Sequence, residues 1–256
     1  MTNWYNLPVY YDVSFSHEMQ AECRFLETII QRYVSSNHPS ILEPACGTGR
    51  LLMRLLKSGI NCSGMDINPY SLNYFNKKLI RNQLSAEIIE ADMSAFKLSK
   101  KYDAAFCTVD TFRHLLSEKQ AFSHLRCMAK ALKKGAVYII GMHLVTENNP
   151  GVVTTRWVHR RGQLTVKTIM KALGYKKKKR RETLEVIIKP ETKQRKLESH
   201  QSIYDLRTYT LKQFRSLISK SKQFTILEAY DEYYDYNHPI KLSDKTDYAV
   251  FILQRL

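Results

Sequence analysis

The chain reads as an α/β protein: a Rossmann-like, doubly wound, seven-stranded and mostly parallel sheet with an antiparallel β insertion after the fifth strand. Three observations predict this. Short apolar runs alternate with helical patterns from residue 40 to 142, as expected of parallel strands buried on both faces and joined by crossover helices. A small-residue loop, Ala45-Cys-Gly-Thr-Gly49, links the first strand to the next helix. Beyond residue 150 the helical period gives way to partial alternation rich in β-branched residues, over 153–170 and 183–205.

The elements follow in order. A helix is expected over 12–34, where Met19, Cys23, Leu26, Ile29, Ile30 and Tyr33 recur at three- and four-residue steps. Asn37-His-Pro-Ser40 turns the chain into a strand at 40–43, and a helix at 49–58 follows, with Leu51, Leu52, Leu55 and Leu56 on one side. Strand 61–66 leads to helix 70–81, strand 86–90 to a loop at 92–96, and strand 104–107 to helix 118–132. Lys134-Gly135 is read as the stop of that helix, ahead of strand 137–142. The insertion is expected to hold three or four strands, with turns at Gly162 and 193–195. Its run 176–181 (Lys-Lys-Lys-Lys-Arg-Arg) falls in or beside a loop. Helix 210–222, with Leu211, Phe214, Leu217 and Ile218 on one face, and strands 225–230 and 248–253 close the chain. The expected division is 1–150 with 206–256 as the main domain and 151–205 as the insertion.

Composition narrows the function classes. With 256 residues and 44% hydrophobic content, the chain can bury a sizeable core. No run approaches the roughly 18 apolar residues of a membrane span, and no secretory leader pattern opens the sequence. Five cysteines, odd in number and without a CxxC pair, point to reduced thiols, a cytoplasmic location and no metal. The formal charge is +16, and residues 151–196 alone hold fifteen Lys or Arg against three acids. Charge of that density attracts an acidic acceptor or a polyanion such as RNA.

Right-handed crossovers place the C-terminal ends of the parallel strands on one edge, where ligands bind. The distinctive residues 43–49, 66, 92 and 107–114 all fall at such ends. Gly47 and Gly49 let backbone N–H groups approach a ligand. Glu43 argues against a phosphate beside them and suits an amino group. Asp66 lies seventeen residues past Gly49, close to the roughly 20 expected of an acid that bridges ribose hydroxyls. A dehydrogenase fingerprint needs a further glycine that Arg50-Leu-Leu does not offer.

On the motifs 43–49, Asp66, Ala91-Asp-Met93 and Thr108-Val-Asp-Thr-Phe-Arg-His-Leu115, the chain resembles the class I S-adenosylmethionine-dependent methyltransferases. Within that class it is most similar to the small-molecule N-methyltransferases of glycine and amino sugars. The resemblance covers about residues 10–145 and the last helix and two strands. It implies S-adenosyl-L-methionine as cofactor and a small-molecule acceptor methylated on N, or on O, under a roof formed by the insertion. Glu43 would hold the cofactor amino group. Ala45, Cys46, Gly47 and Gly49 would admit its methionine part, Asp66 the ribose, Ile67 one adenine face, and Asp92 and Met93 the rest of the base. Cys107 would lie under the methionine chain, and Tyr11 would close over the whole. Ala45 stands where relatives usually have Gly, a replacement expected to cost little. Arg24 is the nearest substitute for the basic residue that often binds the carboxylate.

His114 is the first choice for a catalytic base and Asp110 the second, against the plainer roles of packing and helix capping. Trp157 is expected in the core of the insertion. The tyrosines at 230, 233, 234 and 236 either line an acceptor pocket or flank an edge strand. The run 176–181 is either a solvated loop or a grip on an anionic acceptor. Two other functions stay open: an RNA-directed methyltransferase using the basic insertion, and an idle cofactor-binding module.

Overall fold

A computed structural model describes residues 3–16, 19–146 and 153–256. The helix expected over 12–34 is two helices, α1 (Pro8–Ser14) and α2 (Met19–Tyr33), with residues 17 and 18 between them outside the described set. Pro8 suits the first turn of α1, where its missing N–H is not needed. Because α1 ends at Ser14, it is free to follow a direction of its own, away from the sheet and toward the insertion.

The strands β1 (Ser40–Pro44), β2 (Asn61–Asp66), β3 (Glu87–Glu90), β4 (Tyr102–Cys107) and β5 (Leu132–His143) are parallel, in the order β3-β2-β1-β4-β5. The helices α3 (Leu52–Lys57), α4 (Pro69–Arg81) and α5 (Glu118–Ala131) fall between β1 and β2, β2 and β3, and β4 and β5. Helix α5 stops before Lys134-Gly135. Gly135 instead takes φ +78° inside β5, where the register with β4 shifts. The sheet is completed by β10 (Phe224–Tyr230) and β11 (Tyr248–Arg255), with β11 alone reversed between β5 and β10. Alternation divides each strand between two cores. Leu42, Ala105, Cys107, Tyr138 and Ile140 face one, while Ile41, Ala104, Phe106, Val137 and Ile139 face the other. The first core is covered by α5 and α6 (Leu211–Ser221), which carries the capping box Thr210/Gln213.

The insertion is a four-stranded antiparallel meander, β6 (Thr154–Arg161), β7 (Leu164–Lys176), β8 (Arg181–Glu191) and β9 (His200–Arg207). Its start at residue 151 lies outside the described residues, and β9 runs two residues past the expected 205/206 boundary. Val166, Val186 and Ile188 on one face pack with Trp4 and Val13 of the N-terminal segment. Trp157 lies at this junction rather than in a core of the insertion: its Nε1 donates to the Ser14 carbonyl at 2.8 Å and its ring meets Phe15.

One packing constraint fixes the loop after β1. Gly49 (φ +65°) lies against α4, and a Cβ there would meet the Phe75 ring at 2.2 Å. At Gly47 (φ +53°) the nearest atom to such a Cβ is Asp66 Oδ2 at 4.0 Å. Gly47→Ala should therefore cost only the left-handed backbone, about 1–2 kcal/mol. Gly49→Ala adds overpacking and should cost about 3 kcal/mol or more. Denaturant titration of the two variants reads the difference, and equal losses would contradict the packing argument.

Candidate functional site

The C-terminal ends of β1, β2 and β4 and the loop after β3 surround a cavity of about 360 Å³. Tyr11, Ala45, Gly47, Asp66, Ile67, Asp92, Met93 and His114 line it, so eight of the thirteen residues chosen from sequence meet in one place. The described lining also includes Tyr5, Asn68, Val109 and Thr111, and it holds no Lys or Arg.

Asp66 is the pivot of the floor. Its Oδ2 accepts the Gly47 N–H at 2.7 Å and its Oδ1 the Asn68 N–H at 2.8 Å, which ties the loop after β1 to the start of α4. Burial raises its carboxyl from the ordinary range, although those N–H groups oppose the shift. Each oxygen keeps lone-pair capacity for a ligand hydroxyl. Ile67 is 65% exposed beside it, an apolar surface suited to an aromatic base. Asp92 accepts the Ser94 N–H at 2.7 Å through Oδ1. His124 Nδ1 donates to the Met93 carbonyl at 2.8 Å and holds that side of the slot.

Glu43 is buried at the end of β1 and does not line the cavity, and its Oε2 has no hydrogen-bond partner. Arg50 is committed to Glu22 at 2.9 Å. Burial pushes the Glu43 carboxyl well up. Arg50 opposes this, whereas the negative charges of Glu22 and Asp66 add to it. An orphaned, buried acceptor of this kind fits an amino group. With the open space at Gly47 and the acids Asp66 and Asp92, the set fits S-adenosylmethionine.

Five further residues depart from expectation. Cys46 and Cys107 do not reach the cavity; they are buried in the two cores, where desolvation raises both thiols, Cys107 to about 12. Gly49 serves α4 packing, as above. Ala45 lines the cavity at φ +54°, a left-handed conformation that costs about 1 kcal/mol or more, so the exchange from Gly is less cheap than expected. Arg24 is exposed on α2 and does not line the cavity.

Asp110 does not line the cavity, and both its oxygens are engaged. Its Oδ1 accepts Arg113 Nη1 at 3.0 Å and the His143 N–H at 2.8 Å, and its Oδ2 accepts His143 Nδ1 at 2.7 Å. Burial would raise this carboxyl, but Arg113 and His143 hold it well below the usual range. Arg113 in turn pairs with Glu182 of β8 and donates to the Arg207 carbonyl at 3.1 Å. Asp110 thereby fastens the strained turn after β4, where Val109 and Asp110 take φ +52° and +62°, to the insertion. Sequence spacing gave no sign of His143, which lies 33 residues away.

His114 does line the cavity. Its Nε2 is 3.0 Å from the Tyr5 hydroxyl, and its ring stacks on Tyr204 with centroids 5.7 Å apart. Burial pushes its imidazole down to about 4, so it is neutral at neutral pH. None of the four tyrosines at 230–236 lines the cavity. Tyr230 is held by Arg32 and Glu228, Tyr234 by Glu22 and Tyr248, and Tyr233 is exposed, which matches the edge-strand reading. In the run 176–181, Lys176 to Lys179 are exposed in a turn, while Arg180 pairs with Glu118 and lies over Tyr209.

With this geometry in view, residues 41–135 match the family model of a methyltransferase domain. The architecture matches the Rossmann-like fold of solved methyltransferases. An S-adenosylmethionine-dependent methyltransferase from Clostridium acetobutylicum superposes with a TM-score of 0.77 at 16% identity, covering 98% of this chain and 99% of that one. CalS10, an amino pentose methyltransferase from Micromonospora echinaspora solved with S-adenosylmethionine bound, gives 0.75 at 14% identity, covering 100% and 98%. DesVI of Streptomyces venezuelae gives 0.77 at 15%, covering 96% and 94%. Among curated proteins, one from Geobacillus sp. (strain WCH70) bearing a methyltransferase name is 24% identical over 119 residues, 46% of this chain. The chain spans about half the length of the curated relatives it matches.

The buried imidazoles set a pH dependence. His114 and His124 both titrate near 4 in the fold, pushed down by burial, and near 6.5 in the unfolded chain. The unfolded chain then binds more protons below about 6.5, so stability falls as pH drops from there to about 4, by up to about 3 kcal/mol per histidine. His114→Gln should remove about half of that combined slope in urea titrations at pH 4–7. An unchanged slope would show His114 to be accessible to protons in the native state.

Proposed function

We propose that this protein transfers a methyl group from S-adenosylmethionine to a nitrogen of a small-molecule acceptor, with oxygen as the variant. The observation that carries the reading is the cavity in which Asp66 and Asp92 flank Ile67 and the open backbone of Gly47, with the unpartnered Glu43 Oε2 buried behind that loop. The architecture shared with an amino pentose methyltransferase supports a small acceptor. An acidic acceptor, expected from the basic insertion, finds no cation among the described residues lining the cavity. The cofactor, when bound, supplies a methyl carbon activated for direct displacement.

The residues of the chain do the remaining work. Asp66 and Asp92 would accept from ribose and base, the Gly47 backbone allows close approach, and Glu43 lies buried behind the loop as a reserve of negative charge toward an ammonium group. Tyr5 and His114 face the acceptor side as neutral polar groups. The 3-10 turn Trp4–Asn6 covers the cavity, tied down by Trp4 N–H to Ser202 Oγ at 2.8 Å and by Ser71 Oγ to the Tyr5 carbonyl at 3.1 Å. Such a cover excludes water and aligns the reactants. An imidazole held near 4 is a weak base, which suits a neutral amine that needs none. The reading includes a cytoplasmic location, which the five free cysteines support. Among the described residues no helix is long and apolar enough to cross a membrane.

Calorimetry with S-adenosylhomocysteine should show binding by the parent, and Asp66→Ala should bind at least about tenfold more weakly. No heat from the parent, or equal affinity for the variant, would sink the proposal. Radiolabel from the cofactor should appear in the small-molecule fraction of a cell extract; a protein that binds the cofactor and labels nothing is the idle module.

The exposed turn of Lys176 to Lys179 favours one second reading, methylation of RNA. Replacing these four lysines by Ser should leave small-molecule turnover within about twofold. If RNA is the substrate, binding should instead weaken steeply with salt, and the replaced lysines should flatten that slope.

A further inference from the structure

The insertion has a hold on the cofactor loop that its distance in sequence conceals. Asp12 on α1 is 2% exposed, and four side chains converge on it from three other parts of the fold. Thr48 Oγ1, from the middle of the Gly47–Gly49 loop, donates to Oδ1 at 2.9 Å, and Lys78 Nζ on α4 donates to the same oxygen at 2.9 Å. Lys78 also donates to the Thr48 carbonyl at 3.1 Å. Tyr74 of α4 donates its hydroxyl to Oδ2 at 3.2 Å. Arg161, the last residue of β6 at the β6–β7 hairpin, reaches Oδ2 through Nη1 at 2.5 Å and the Asp12 carbonyl through Nη2 at 2.9 Å.

We infer that Arg161 is a positioning residue for the cofactor loop, acting through Asp12 on Thr48, so that the insertion shapes the cofactor site as well as covering the acceptor side. The inference rests on the reading of this loop as a cofactor loop. An exposed ion pair is ordinarily worth little. Here only the arginine is partly exposed, at 45% of its side chain; one prong of its fork meets a carboxylate cut off from water and the other the carbonyl of the same residue. Burial opposes the charge of Asp12, yet Lys78 and Arg161 together keep its carboxyl below the usual range. Removing Arg161 leaves one cation for a buried carboxylate that must also hold Thr48. Asp12 can then shift toward solvent, and the Thr48 hydroxyl moves with it or loses its acceptor. The backbone of Gly47, whose N–H is bound to Asp66, is the next atom group in line.

The test pairs binding with amide exchange. Arg161→Ala should raise the S-adenosylhomocysteine Kd about tenfold, and Arg161→Lys should recover most of it, since an ammonium can meet Oδ2. Thr48→Val should weaken binding similarly. The double variant Arg161→Ala/Thr48→Val should be no weaker than the worse single variant, because both cut one chain of contacts. Hydrogen exchange of the Cys46, Gly47 and Gly49 amides should quicken in Arg161→Ala while exchange in β1 stays as in the parent. The inference is overturned by a Kd within twofold of the parent, by additive losses in the double variant, or by unchanged exchange at residues 46–49. The exchange arm needs no ligand. A parent that fails to bind S-adenosylhomocysteine therefore removes the methyl-transfer reading, while exchange still decides the role of Arg161.

Discussion

Four carboxylates, Asp12, Glu22, Glu43 and Asp66, are all nine-tenths or more buried near one end of the parallel strands, and removing that much negative charge from water is costly unless it is met. Two are met by cations: Asp12 by Lys78 and Arg161, and Glu22 by Arg50. Asp66 is met by backbone N–H groups alone, and Glu43 keeps one oxygen bare. The arrangement of the region follows from this imbalance. Loop, helix start and N-terminal helix are each drawn toward a carboxylate, and Asp66, at the cavity wall, keeps lone pairs for donors that a ligand would bring. A phosphate would meet the opposite of what it needs there.

The parallel half of the molecule is legible in the sequence because its strands are short apolar runs whose ends carry acids or glycines. The span 61–66 appears in the structure with the bounds its residues predict. What escapes a reading of the sequence is decided by direction rather than by type. Cys107 closes a strand at the expected place, but the two-residue period of β4 turns it with Ala105 into a core. Asp110 has the character of an acid near the site, and nothing in the local sequence says that His143 and Arg113 occupy both its oxygens. The single helix expected over 12–34 hides the independent course of α1, and with it the role of Asp12.

The charge of the insertion misleads for the same reason. As a sum, it suggests a surface for polyanions. In the fold, part of it is spent on ion pairs: Arg161 on Asp12, Lys171 on Glu185, Lys167 on Glu191 and Arg180 on Glu118. Composition counts charges, but it cannot see which are already answered by a neighbour across a strand. The exposed lysines of the β7–β8 turn are among the charges left facing water, together with Arg156, Arg160, Lys189, Lys193, Arg195 and Lys196.

The two glycines of the loop after β1 divide the labour of a motif that is usually treated as one signature. One leaves room on the ligand side; the other leaves room for an aromatic ring on the helix behind it. Changes meant to alter what the cavity accepts therefore belong at position 47 and its surroundings. Position 49 belongs to the scaffold: enlarging it would call for a smaller partner in place of Phe75 before any change in recognition could be observed.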